Sequence, residues 1–284
     1  MEGQRQTFTS GEFFVAVSGL AAMRHALTDP ARARPRIEEA RSIAARMDEP
    51  PNDIEIAVIE HPVASGYAAW APSYDGPNPA IALEEPVVHG IVDALPVGRA
   101  LDACCGTGRH AEHLAGLGWD VVGVDATHEM LEVARAKVPG ARFEQGDVLD
   151  LPLADGAVDL AVCSLALTHV VALDAALAEV SRVVRPGGTV VVADIHPTYA
   201  LLGGTAAFPH DGGLAHVRNL HHPVSRYVRG ALDAGLAIVD CAEIAADEAM
   251  ITGHLAYGFV PDAVRQAYED LPFILVWHLR KPAS

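Results

Sequence analysis

At 284 residues, half of them hydrophobic and a fifth charged, the chain is long enough to bury a large core and too apolar for disorder. Its formal charge of −17 argues against nucleic acid or an anionic membrane as partner, since both are held by lysine and arginine. Four cysteines without a C-x-x-C spacing support neither a zinc site nor a disulfide framework, and a reducing cytoplasm fits them best.

Two amphipathic helices are predicted first, over 12–28 and 36–47, from apolar residues at i, i+3, i+4 spacing. Pro30 and Pro35 should break the chain between them, and Pro50 and Pro51 end the second. The apolar run 13–23 is too short for a bilayer and follows Glu12, where a secretory signal would carry positive charge, so it reads as a helix face. Residues 67–79 (YAAWAPSYDGPNP) are rich in turn formers and aromatics, and 81–95 returns to helix with a kink expected at Pro86.

From residue 99 the pattern changes. Strands at 99–105, 120–124, 141–144, 158–164 and 189–193 alternate with helices at 109–117, 127–137 and 173–184. Such alternation implies right-handed βαβ units and a doubly wound α/β sheet. A helix at 224–234 and strands at 236–244 and 273–279 complete a mostly parallel, seven-strand Rossmann-like sheet, its last two strands pairing antiparallel. Residues 1–95 then form an N-terminal helical segment, a cap or a homodimer surface. Residues 96–284 form the α/β domain, with a loop insertion at about 197–222.

The run ALDACCGTGRHA, from Ala100 to Ala111, carries most of the functional information. A strand ends in a tight turn with Gly106 and Gly108, and a helix begins at once; a side chain there would block backbone approach to a ligand. Asp125 closes the second strand, where a carboxylate can bind both hydroxyls of a ribose. Gly106, Gly108 and Ala111 also satisfy the G-x-G-x-x-G/A dinucleotide pattern, so an NAD-dependent oxidoreductase is the rival reading. Three features favour a cationic cofactor instead. Asp102 precedes the glycines, Gly146-Asp147-Val148 closes the third strand, and the run RVVRPGGTV from Arg182 ends a helix in a Pro-Gly-Gly turn.

In this order the residues resemble class I S-adenosylmethionine-dependent methyltransferases, in particular the small-molecule branch with the ubiquinone/menaquinone and natural-product enzymes. The resemblance implies S-adenosyl-L-methionine as cofactor, with Asp102, Cys104, Gly106 and Gly108 around its methionyl part. It implies Asp125 on the ribose, Ala126 and Met130 over the adenine, Asp147 and Val148 at the adenine edge, and Ser164 lining the site. It places Tyr74 on the methionyl carboxylate. Cys104 departs from the family, which usually has glycine there, and both vicinal cysteines read as small packing residues. The activity implied is methyl transfer to a small-molecule acceptor in natural-product or other secondary metabolism. A protein that retains the cofactor without methylating would keep the same motifs.

Methyl transfer needs alignment, a dry pocket and sometimes a base. His169 and His196 follow the fourth and fifth strands, where an open sheet binds ligands, and are the catalytic candidates. The histidines of the following segment, among them His210, His221 and His222, lie on no clear i,i+4 helical pair, so no metal site is expected.

Overall fold

The structure is a computed structural model that describes residues 4–283. The chain opens with β1 (Gln4–Thr9) and α1 (Ser10–His25). Thr9 starts α1 with a reciprocal cap: its hydroxyl accepts from Glu12 N, and the Glu12 carboxylate accepts from Thr9 N at 2.7 Å. Helix α2 (Pro30–Ala44) overturns the expected break at 29–35. Pro30 occupies the first turn, where no N–H is required, and the Asp29 side chain accepts from Arg32 N, so proline begins this helix. Pro35 lies inside it.

Strand β2 (Glu55–His61) pairs antiparallel with β1, with Thr7 opposite Ala57. Next come α3 (Val63–Trp70), a 3₁₀ turn at Ala71–Ser73 and α4 (Pro79–Val92), capped by the Asn78 side chain. The alternating region follows as β3 (Arg99–Ala103), α5 (Arg109–Gly116), β4 (Asp120–Asp125), α6 (His128–Lys137), β5 (Arg142–Gln145) and β6 (Val158–Ser164). A 3₁₀ turn at Leu167–His169 leads to α7 (Leu173–Val183) and β7 (Val184–Ile195). The expected loop insertion at 197–222 is largely structured, holding α8 (Pro197–Leu201), β8 (Thr205–His210) and β9 (Gly213–Arg218). Helix α9 (Val224–Asp233), β10 (Ala237–Ala245), α10 (Glu248–Thr252), α11 (Pro261–Tyr268) and β11 (Pro272–Arg280) complete the chain.

The seven-strand sheet has the order β10-β11-β7-β6-β3-β4-β5. Strands β3 to β7 run parallel, and β11 is antiparallel to β7, with Trp277 opposite Val192. This is the doubly wound sheet expected. The chain enters at β3, moves outward through β4 and β5, then returns to β6 on the other side of β3. That reversal opens a crevice at the carboxyl ends of β3 and β6.

The chain divides into two compact units. One comprises the residues up to His61 with Ala207–His216 and Ala245–Pro272. In it α1 packs on α2 and α11 around Phe14, Val17, Ile43, Val260 and Val264. The other comprises Pro62–Ala206, Val217–Ile244 and the residues from Phe273. Its core runs through Leu101, Cys163, Leu177, Val190, Val192 and Leu275. The expected boundary near residue 95 falls inside this second unit, because α3 packs on α6 and α4 against β7. The N-terminal segment is also less purely helical than expected, since β1 and β2 belong to a four-strand sheet of order β1-β2-β9-β8.

Candidate cofactor site

The glycine loop joins β3 to α5 through three residues in left-handed backbone conformation: Cys104 (φ 55°), Gly106 (φ 52°) and Gly108 (φ 80°). Cys104 pays the steric cost that a side chain meets there, which is the physical content of the glycine-to-cysteine departure. Gly108 caps α5, and a Cβ on it would stand 3.1 Å from Ala134 Cβ. Gly108→Ala should therefore destabilise the fold by roughly 1–3 kcal/mol, combining backbone strain with overpacking. Denaturant titration checks this; an unchanged midpoint with an unchanged slope would contradict it. Gly106 differs, because a Cβ there would meet nothing within 4 Å. Its bare backbone faces open space, the shape a cofactor needs for close approach.

Asp125, half-buried at the end of β4, holds this loop. Its two carboxylate oxygens accept from Gly106 N at 2.9 Å and Thr127 N at 2.8 Å. Burial raises its pKa, and these backbone N–H groups oppose the rise. Ala126 beside it is exposed, and Met130 is buried on α6. At the end of β5, Asp147 is exposed and its carboxylate accepts from Leu149 N at 2.9 Å, while Val148 is buried. Asp125, Ala126 and the Asp147 turn thus follow neighbouring parallel strands at one end of the sheet.

Asp102 differs from expectation. It is 2% exposed, and its carboxylate accepts from Ala111 N at 2.9 Å inside the first turn of α5. Burial pushes its pKa up to about 7. Its carboxyl seats the helix behind the loop and does not border open space.

The segment before the sheet clamps the same loop. The Thr107 hydroxyl donates to Asp75 at 2.6 Å, and Lys137 Nζ sits 2.8 Å from the other Asp75 oxygen. Tyr74 packs edge-on against Trp70, with ring centroids 5.0 Å apart, and burial raises its pKa while the Arg109 charge opposes the rise. The Ser164 hydroxyl, at the end of β6, accepts from Arg109 Nη2 at 3.0 Å.

The two candidate histidines differ sharply. His169 Nδ1 lies 2.9 Å from the Arg218 carbonyl and His169 Nε2 lies 2.8 Å from the Tyr67 hydroxyl. A carbonyl only accepts, so Nδ1 carries the hydrogen and Nε2 presents its lone pair to Tyr67. Burial lowers the His169 pKa, which keeps the imidazole neutral. The turn bearing it is steadied by Asp194, a wholly buried carboxyl that accepts from the Thr168 backbone N–H as well as from Tyr227 Oη at 2.8 Å and Ile195 N at 3.0 Å.

His196 is a cap. Its Nδ1 accepts from Thr198 N at 3.1 Å to start α8, so Nε2 carries the hydrogen and donates to Glu243 at 2.9 Å. Both nitrogens are engaged and the residue is 4% exposed, so the side chain does not project into the crevice as a free base. His196→Ala should cost about 1 kcal/mol of stability through loss of the cap, measurable as a lowered denaturation midpoint. A rate loss at unchanged stability would contradict that role.

Among the described residues no three His, Cys, Asp or Glu side chains gather as a metal site. His222 Nε2 donates to the Val170 carbonyl at 2.9 Å, and His210 stands edge-on to His61. No helix among these residues is long and apolar enough to cross a membrane. Sequence reasoning missed Tyr67 as the partner of His169, Arg109, and the Asp75–Thr107–Lys137 clamp. Tyr67 and Asp75 lay in the aromatic segment and Arg109 directly after Gly108, but nothing local shows what a side chain reaches.

A glycine loop with an open left-handed residue, an acid closing the next strand and a crevice at the sheet's reversal define a cofactor-binding α/β domain. Residues 101–192 match the methyltransferase domain family. A 143-residue stretch is 38% identical to the demethylmenaquinone methyltransferase of Renibacterium salmoninarum, covering 48% of this chain and 60% of that one. The malonyl-[acyl-carrier protein] O-methyltransferase of Serratia marcescens is 36% identical over 137 residues, 47% of this chain and 52% of its own. The chain thus spans between half and two thirds of these relatives' lengths. The crystal structure of an S-adenosylmethionine dependent methyltransferase from Mesorhizobium loti superposes with a TM-score of 0.54 at 26% identity, covering 70% of this chain and 97% of that one. Residues 101–192 thus carry a methyltransferase domain, in a fold like that of the S-adenosylmethionine dependent methyltransferase from Mesorhizobium loti.

Proposed function

We propose that the protein transfers the methyl group of S-adenosyl-L-methionine to a small-molecule acceptor in natural-product or other secondary metabolism. The observation that carries this reading is the open Gly106 backbone tied to Asp125, with nothing within 4 Å of where a Cβ would stand. Asp125 holds the ribose hydroxyls, Ala126 and Met130 cover the adenine, and Asp147 and Val148 take its edge. Cys104 through its backbone, Gly108, Tyr74 and Ser164 line the methionyl end, and Asp102 acts from behind by seating α5.

The bound cofactor supplies an electrophilic sulfonium methyl. What this chain adds is alignment and a route for the acceptor's proton. Of the two histidines, His169 is the base. An acceptor hydroxyl or ammonium docked at Tyr67 gives its proton to the Tyr67 oxygen, and the tyrosine hydrogen passes to His169 Nε2. The Arg218 carbonyl accepts from His169 Nδ1–H and steadies the imidazolium that forms.

The four thiols are unpaired, which suits a cytoplasmic protein. A cap or a surface for a second copy is the role assigned to the N-terminal helices; light scattering that finds one chain favours the cap. The deciding test offers the protein S-adenosylmethionine with panels of quinone, phenol and acyl-carrier acceptors and follows product mass. Gain of one CH₂ supports methyl transfer. A product changed without that gain, or binding of NAD in place of S-adenosylhomocysteine, overturns it.

A further inference from the structure

We propose that Arg109 receives the carboxylate at the amino-acid end of the cofactor, with the buried Glu84 holding its guanidinium in place. The inference rests on the cofactor reading above and adds a residue to it.

Arg109 is the first residue of α5, directly after Gly108. Its side chain is nearly buried and reaches from the glycine loop to the end of β6, where Nη2 donates to Ser164 Oγ at 3.0 Å. Strands β3 and β6 are neighbours on either side of the chain reversal, so the guanidinium lies across the crevice that the fold opens. Nη1 pairs with Glu84 and stands 3.3 Å from Glu85. Glu84 is fully buried, and a buried carboxylate that lost its cation would be left uncompensated, so the pair holds the arginine in one place.

The described contacts engage Nη1 and Nη2. A guanidinium has five N–H groups, so hydrogens remain for a ligand along its planar edge. That edge matches a carboxylate bidentately, as an ammonium could not. Tyr74, expected at the same carboxylate, feels the Arg109 charge, so both groups lie in one neighbourhood. A tyrosine hydroxyl alone gives a carboxylate one hydrogen bond and no compensating charge, and a desolvated carboxylate needs both.

The test is calorimetric titration of the full chain with S-adenosylmethionine and with decarboxylated S-adenosylmethionine, which lacks only the carboxylate. The unaltered protein should bind the first roughly 10- to 100-fold more tightly, the worth of hydrogen bonds to a charged group. Arg109→Gln should lose that preference by weakening S-adenosylmethionine alone, and Arg109→Lys should keep part of it. Because Arg109→Gln strands the Glu84 charge, the double variant Arg109→Gln with Glu84→Gln removes both charges and keeps the test valid if the single variant fails to fold. Equal weakening of both ligands, or of neither, in a folded variant overturns the role of Arg109 and leaves the cofactor reading standing. An unaltered protein that binds neither ligand overturns the cofactor reading, and this proposal with it.

Discussion

Replacing Asp125 with alanine should weaken S-adenosylhomocysteine binding by roughly 2–3 kcal/mol, as for loss of charge-assisted hydrogen bonds. Each carboxylate oxygen already accepts one backbone N–H, from Gly106 and from Thr127, and has a further lone pair for a ribose hydroxyl. The substitution therefore removes the ligand contact and also frees Gly106, whose left-handed backbone forms the cradle. Asp125→Asn keeps one accepting oxygen and should lose less. Burial raises the Asp125 pKa, so affinity should begin to fall on acidification above the ordinary carboxylate range, and the alanine variant should lose that pH dependence. Asp147→Ala should cost less than either, since its exposed carboxylate leaves an edge contact that water replaces in part. Calorimetry on folded protein reads all three. Undiminished affinity in the alanine variant would remove Asp125 from the site.

The sheet and the loop were legible because their signals are local. Buried parallel strands read as continuous apolar runs, as 160–163 in β6 and 190–193 in β7 do, and glycine spacing marks the turn that follows β3. The first unit was hidden for the opposite reason. It gathers segments from three distant parts of the chain, and β2 (EIAVIEH) is only half-buried, with no two-residue alternation in its burial. Prolines misled in a specific way: Pro30 reads as a break, whereas at a helix's first turn its missing N–H is not needed and it starts the helix. For the site, sequence placed Asp125 and Ser164 at strand ends and Asp147 just beyond one, because a parallel strand's end sets which end of the sheet its residues reach whatever their rotamers. It could not tell His169 from His196. Both follow a strand, and only the tertiary partners, the Arg218 carbonyl for one and Thr198 N with Glu243 for the other, fix which nitrogen is free to accept.

That difference sets the second large effect. His169→Ala should lower the single-turnover methyl-transfer rate by roughly 10²- to 10⁴-fold, the usual contribution of a positioned base, with cofactor affinity nearly unchanged. Tyr67→Phe removes the hydroxyl that donates to Nε2 and should lower the rate by a comparable factor, while keeping the ring that packs on Trp70 and Tyr74. Because the two act as a unit, the double variant should be little slower than either single one. The pH profile separates a base from a wall of the pocket. Burial lowers the His169 pKa, so the proton-accepting form persists below the ordinary histidine range, and the rate should fall only when pH drops past that depressed value. His169→Asn, which keeps a hydrogen-bonding side chain but no basic nitrogen, should be as slow as the alanine variant and should lack that acidic limb. Near-wild-type rates in His169→Asn would leave alignment and water exclusion as the whole of catalysis, with the dyad reduced to a strut between Tyr67 and the Arg218 carbonyl.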